Sequence, residues 1–278
     1  MSAVLLGIDL EDVRDWVKDG HSYREAVPEN TRRYLDKFAA WGVKATFFVV
    51  GEAARRYPWL IAEIAAAGHE IACHGNKHLQ LDKLSPTQFH DDLRENLRAL
   101  QDAGRTAIHG FRAPTFSLTA KTAWAHEVLA ELGFTYSSSV LPARNPLYGW
   151  PEFGSRAKKV CNGFWELPIT IHNIPGLSTP VAGGVYFRVL PFLLTRWTIR
   201  RKIMEGQPVL TYFHPYDIDL QQERFMHPDL GEKKHLNMLM YIGRNKVFSR
   251  LERLRSMYPF LTYHEYVMKF LDAHAGSL

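Results

Sequence analysis

Cysteine is nearly absent from this 278-residue chain, which has only Cys73 and Cys161. One bridge could join them, but two thiols in a chain this long build no disulfide framework. The fold must stand on an apolar core, which this length allows to be large. Long hydrophobic runs are also missing. A membrane-spanning helix needs roughly 18 to 20 apolar residues, and the nearest run, Val189-Leu190-Pro191-Phe192-Leu193-Leu194, is far shorter. No basic segment with a long apolar stretch precedes the first strand-like run, Val4-Leu5-Leu6-Gly7-Ile8. A cleaved signal is therefore not expected. A cytoplasmic protein is expected, with peripheral contact to a membrane surface left open. Strong charge of one sign is lacking too. The net +5 suits an anionic ligand or surface without requiring either. Basic residues cluster at 196–202 and 244–255 and read first as solvated helix faces. No motif supports nucleic-acid binding. Repeats and low-complexity linkers are absent, which favours one domain over residues 1–278, with 221–278 as a C-terminal helical extension.

What is present is alternation of strand and helix signals. Strands are expected at 4–8, 45–50, 70–73 and 108–112. Between them lies a helix at 31–41, with Tyr34, Leu35, Phe38 and Trp41 at helical spacing. A second is expected at 58–67, opened by Pro58 and closed by Gly68. A third is expected from Ser85 to about Leu100, with Ser85 and Gln88 as a capping box, and a fourth at 121–132. Residues 137–184 are rich in glycine, proline and aromatics and read as loops and short strands. A helix at 192–205, a strand at 209–213, a helix at 238–257 and a strand at 260–263 complete the chain. This order implies an α/β fold with a parallel sheet, open or closed into a barrel. Asp9, His74, Arg112 and His214 each follow a strand, where β/α barrels carry their chemistry.

Four segments hold chemistry. His74-Gly-Asn-Lys-His78 places two imidazoles on one face of a helical turn or across a tight loop, so that both can reach one ion. With 13 histidines in the chain such a pair arises easily by chance, but this one directly follows a strand. Asp9-Leu10-Glu11-Asp12 sets three carboxylates within four residues, and their mutual repulsion calls for a cation. One of them could complete a His-His-carboxylate metal site while another serves as general base. In Phe111-Arg112-Ala113-Pro114-Thr115, the arginine can keep a carboxylate ionised and oriented. Pro114 restricts the turn, so the following backbone N–H can be aimed at an oxyanion. In Leu210-Thr-Tyr-Phe-His214-Pro215-Tyr216-Asp217, the histidine can protonate a leaving amine, held by Asp217 or another acid. Trp165, Tyr186, Phe187 and Arg188 are candidates for sugar stacking or anion contact, against the plainer reading of core aromatics and a surface charge.

These four segments, in this order, resemble the polysaccharide deacetylase family, also called the NodB-homology or carbohydrate esterase 4 family. Ile8-Asp9-Leu10-Glu11-Asp12, His74-Gly75-Asn76-Lys77-His78, Arg112-Ala113-Pro114 and Leu210-Thr-Tyr-Phe-His214 correspond to its acidic, His-pair, R-x-P and terminal L-x-H motifs. A closer likeness is to the branch of exopolysaccharide and lipopolysaccharide gene clusters, through Asp9-Leu-Glu-Asp12, residues 183–188 and His214-Pro215-Tyr216-Asp217. The resemblance implies a distorted (β/α)7-type barrel and a divalent metal, Zn²⁺ first, with Co²⁺, Ni²⁺ or Mn²⁺ as alternatives. It implies hydrolysis of an N-acyl group, acetyl before formyl, from an amino sugar; with no cleaved signal expected, a nucleotide- or lipid-linked precursor fits better than an exported polymer. It implies Asp9 as base, Arg112 as its orienting group, His214 as acid, and Thr115 as backbone oxyanion donor. His74 and His78 are expected ligands, with Asp12 or Glu11 as the third. Two departures stand out: no adjacent Asp-Asp pair occurs in the first motif, and Tyr136-Ser137-Ser138-Ser139 replaces the usual acidic fourth motif. A catalytically inactive carbohydrate-binding protein is the rival from another class.

Overall fold

The computed structural model describes residues 2–145, 147–161, 163–174, 177–227 and 233–273. Parallel strands carry the fold. β1 (Val4–Leu5) runs into β2 (Gly7–Leu10), which pairs with β3 (Thr46–Val49). The sheet continues in parallel through β4 (Glu70–Cys73), β5 (Gly110–Phe111), β6 (Tyr136–Ser137) and β8 (Phe164–Glu166), with β7 (Lys158–Cys161) as an antiparallel edge. β1 itself lies between β11 (Val209–Leu210) and β12 (Phe260–Leu261) and pairs in parallel with both. A bridge between Ile8 and Phe213 extends the line of β11 beside β2. The parallel order is therefore β11, β1–β2, β3, β4, β5, β6, β8. Among the described residues no ladder joins β8 to β11; there the Leu210 N–H donates to Thr170 Oγ1 at 2.8 Å instead.

Side chains alternate across these strands, and the two faces do different work. Val4, Leu6, Ile8 and Leu10 belong to the apolar layer shared with the helices, as do Phe47, Val49, Ile71, Cys73, Phe111 and Phe213. Ala3, Leu5, Phe48, Ala72, Tyr136, Leu210 and Tyr263 form a second cluster on the inner face. Extending the inner parity towards the C-terminal strand ends reaches Asp9 and Glu11 from Leu5, His74 from Ala72, Ser138 from Tyr136, and His214 from Leu210. Period two alone thus puts Asp9 and Glu11 on one face and Asp12 on the other.

The helices depart from expectation at their ends. α1 (Val27–Trp41) starts four residues early, because Pro28 suits a first helical turn. α2 (Gly51–Arg56) was not expected; α3 (Pro58–Ala66) and α4 (Pro86–Gly104) were, and the Ser85–Gln88 capping box is formed. α5 (Ala125–Glu131) is preceded by a separate 3₁₀ turn at Ala120–Thr122, which shortens the expected helix. α6 (Gly184–Val189) and α7 (Phe192–Met204) follow the hairpin of β9 (Ile171–Ile174) and β10 (Leu177–Pro180). The single helix expected at 238–257 is instead α8 (Lys234–Leu239) and α9 (Val247–Arg255). Gly243 breaks it: its φ is 74°, and a Cβ there would lie 2.7 Å from the Arg188 carbonyl oxygen. The C-terminal segment is more than a helical extension, since β12 joins the sheet and α10 (Tyr263–Tyr266) sends Tyr263 to the inner face. Among the described residues no helix is long and apolar enough to cross a membrane.

Candidate active site

A cleft of about 520 Å³ opens at the C-terminal strand ends, lined by Asp9, Glu11, His74, His78, Thr115, Tyr186, Tyr212 and His214 among others. Its deepest element is the pair of Asp9 and Arg112. Arg112 is fully buried, and its Nη1 lies 2.5 Å from Asp9 Oδ1. Its Nε donates to the Ser138 carbonyl at 3.2 Å and its Nη2 to the Tyr263 hydroxyl at 2.7 Å, while its face covers the Phe48 ring at 4.0 Å. The guanidinium reaches Asp9 by passing close to β2 at Gly7. A Cβ at position 7 would lie 2.7 Å from the Thr211 carbonyl oxygen and 3.1 Å from Arg112 Nη1. Burial alone pushes the Tyr263 phenol up, and Arg112 pulls back; the net is about 12, so Tyr263 stays a neutral partner.

Beside this pair stand Glu11, His74 and His78, whose ligand atoms all lie within 4.8 Å of one another. The His74 Nδ1–H donates to the Arg112 carbonyl at 2.8 Å, which leaves the Nε2 lone pair for the cleft. Burial holds His74 down to about 4, so it is neutral and able to ligate. The stretch between the two histidines is a loop, not a helix, and it is pinned from below. Asn76 N donates to Asp92 Oδ2 and Asn76 Nδ2 to Glu95 Oε2, both at 2.7 Å, and Asn96 holds the Gly75 carbonyl. His78 follows with φ of 55°, which turns it back toward His74. Glu11 Oε2 is buried 2.6 Å from His78 Nε2 but off a hydrogen-bond direction, so among the described residues that oxygen has no hydrogen-bond donor. Burial would raise the Glu11 carboxyl, yet His78 first and then His214 outweigh it and hold Glu11 well below the usual carboxylate range. Two imidazoles and an ionised carboxylate with a bare buried oxygen suit a Zn²⁺-type ion.

His214 completes the cleft. Its Nδ1 lies 2.9 Å from Asp217 Oδ2, and its ring stacks on Tyr216 at 4.5 Å. Its Nε2 points at the carboxylates, 3.9 Å from Asp9 Oδ2 and 3.7 Å from Glu11 Oε1. Burial lowers this imidazole, but the hydrogen bond and charge of Asp217 prevail and lift it to about 9.

With this geometry, comparison with known proteins is direct. Residues 15–137 match the polysaccharide deacetylase family model, and residues 138–268 match a domain of unknown function, DUF3473. Over residues 15–137 the chain is thus similar to the polysaccharide deacetylase family. A chitooligosaccharide deacetylase of Bradyrhizobium sp. (strain ANU 289) is 32% identical over 103 residues, which cover 37% of this chain and 45% of that one. A peptidoglycan deacetylase of Helicobacter pylori is 26% identical over 149 residues, or 50% of this chain and 49% of that one. These matches span less than half of either relative. A Mycobacterium smegmatis crystal structure, provisionally assigned as a polysaccharide deacetylase, superposes with a TM-score of 0.68 at 21% identity, covering 99% of this chain and 91% of that one. That likeness shows the fold.

Several expected site residues have other partners or lie outside the cleft. Asp12 does not face the histidines. Its Oδ1 caps a 3₁₀ turn through the Arg14 N–H, and its Oδ2 takes Arg14, Tyr57 and Arg56. Arg188 is fully buried at the cleft wall: its Nε lies 2.9 Å from Asp217 Oδ1, and its Nη1 donates to the Met240 and Ile242 carbonyls. Trp165 is absent from the cleft. It packs on the inner cluster near the N-terminal strand ends, with its indole N–H on Asp272. Tyr186 and Thr115 do line the cleft, and Thr115 has left-handed φ of 55° directly after Pro114. The serines of the fourth segment serve Arg112 and its loop, since Ser139 Oγ accepts from the Ala113 N–H at 2.8 Å. Tyr263 was not anticipated; a lone tyrosine at a strand end carries no signal that it meets Arg112.

Proposed function

We propose that the protein removes the N-acetyl group of an amino sugar in a surface-polysaccharide or lipopolysaccharide precursor. The observation that carries this reading is the meeting, in one cleft, of Asp9 on Arg112, the Glu11–His74–His78 cluster, and His214 on Asp217. A divalent cation on Glu11, His74 and His78 would act as a Lewis acid, acidifying a water and polarising the acyl oxygen. Asp9 takes the proton of the attacking water. Arg112 pairs with that carboxylate and aims it, and cannot swing away because Ser138 and Tyr263 occupy its other donors. His214, steadied through Nδ1, gives a proton from Nε2 to the departing amine. The Thr115 backbone N–H, on the cleft wall, is the donor for the oxyanion. A formamido sugar would meet the same residues.

Of the carboxylates that line the cleft, Asp9, Asp12, Asp15 and Asp217 are each paired with an arginine, which leaves Glu11 beside the histidines and Glu52. The test is amine and acetate release from a panel of N-acetyl and N-formyl amino sugars, oligosaccharides and nucleotide sugars, with chelation and metal add-back. Acetate release that chelation abolishes is expected; no release from any member by metal-loaded protein would overturn the reading.

A further inference from the structure

α7 leaves three large apolar side chains in water. Thr195, Thr198 and Ile199 are buried against the body, whereas Leu193 and Met204 are each 75% exposed and Trp197 is 51% exposed. At about 100° per residue, Leu193, Trp197, Arg200 and Met204 fall within an arc of about 60°. Arg196 and Arg201, both exposed, border it on either side. Scattered apolar residues on a surface are ordinary. Three large apolar side chains exposed along one face of a single helix, interrupted by Arg200 alone, call for something to cover them although Ile199, Phe192 and Ile203 already anchor the helix to the core.

We infer that this stripe docks the protein on an anionic lipid bilayer. An apolar centre with tryptophan and flanking arginines matches an interfacial helix, where leucine and methionine enter the acyl boundary and guanidinium groups meet headgroup phosphates. Charge supports that occupant. Arg201 is paired with Glu205 at 2.8 Å, but among the described residues neither Arg196 nor Arg200 has an ion-pair partner. A second copy of the chain fits less well, because a two-fold contact on this face would bring the same arginines together. The location is apt. α7 starts two residues after α6, whose Val185 and Tyr186 line the cleft, so a bilayer against α7 lies beside the cleft mouth. The surface does not depend on the chemistry of the cleft.

The test is flotation of the full chain with vesicles of phosphatidylcholine, alone or with about one third phosphatidylglycerol. Binding to the anionic vesicles at low salt, weakening as salt rises, is expected. Arg196→Gln with Arg200→Gln should cut partition roughly thirty-fold. Leu193→Ser with Trp197→Ser should abolish it, with circular dichroism and melting temperature unchanged. No binding by the unaltered protein, or equal binding by both variants, overturns the inference. So does a concentration-dependent dimer that Leu193→Ser dissociates. Vesicle binding without acetate release would sink the proposed reaction and leave this surface standing.

Discussion

The Arg112 guanidinium reaches Asp9 Oδ1 at 2.5 Å while its Nη1 lies 3.1 Å from where a side chain at Gly7 would begin. The candidate base is therefore set by a buried cation from another strand, and the smallest residue on the base's own strand leaves room for it. Gly7→Ala should displace Arg112, cost about 2–3 kcal/mol by overpacking, and lower turnover along with stability. Denaturant unfolding and initial rates on one preparation check both; an unchanged melt and rate would show that the passage tolerates a methyl.

Asp9→Asn keeps the shape and removes the base. Acetate release should fall by about two to four orders of magnitude, while metal content remains, because Asp9 is outside the Glu11–His74–His78 cluster. Elemental analysis of the purified variant separates lost chemistry from lost metal.

The third ligand can be decided by two amides. Glu11→Gln should lose bound metal and activity, as should His74→Ala. Asp12→Asn should retain both and cost about 1 kcal/mol of stability, since its carboxylate caps a turn and pairs with Arg14 and Arg56. Metal loss in Asp12→Asn with metal retention in Glu11→Gln would reverse the assignment.

His69 predicts an acid sensitivity away from the cleft. Its Nδ1 accepts the Ala45 N–H at 3.0 Å, and burial, aided by Lys44, lowers it to about 4 from 6.5. Between those values the unfolded chain binds a proton that the folded chain refuses. Stability is thus complete above the unfolded value and declines as pH falls toward about 4. At about pH 5 the loss from this residue is on the order of 2 kcal/mol. His69→Asn, which can still accept from Ala45, should remove that share of the pH dependence in denaturant titrations.

Much of the site was readable in the chain, for a physical reason. Strand alternation and the placement of polar residues just after apolar runs are local patterns, and Asp9, His74, Arg112 and His214 all obey them. The choice of Glu11 over Asp12 was also within reach, since positions two apart on an extended strand share a face and positions three apart do not. The partners of Arg188 and Trp165 were not legible because aromatic and basic residues in a glycine-rich stretch look alike whether they meet a sugar, an aspartate or the inner core. The break at Gly243 was missed because it answers to the Arg188 carbonyl, 55 residues earlier in the chain.

By itself, then, the amino-acid order determined the β/α alternation, the inner parity of the candidate catalytic residues and the pairing of His74 with His78, all of which depend on neighbours within a few positions. Tertiary structure alone decided that Ser138 and Tyr263 hold Arg112, that Arg188 backs Asp217, and that α7 turns its leucine, tryptophan and methionine outward. Those contacts join residues tens to hundreds of positions apart, and the closeness of such residues is set by how the whole sheet curves, not by any local pattern.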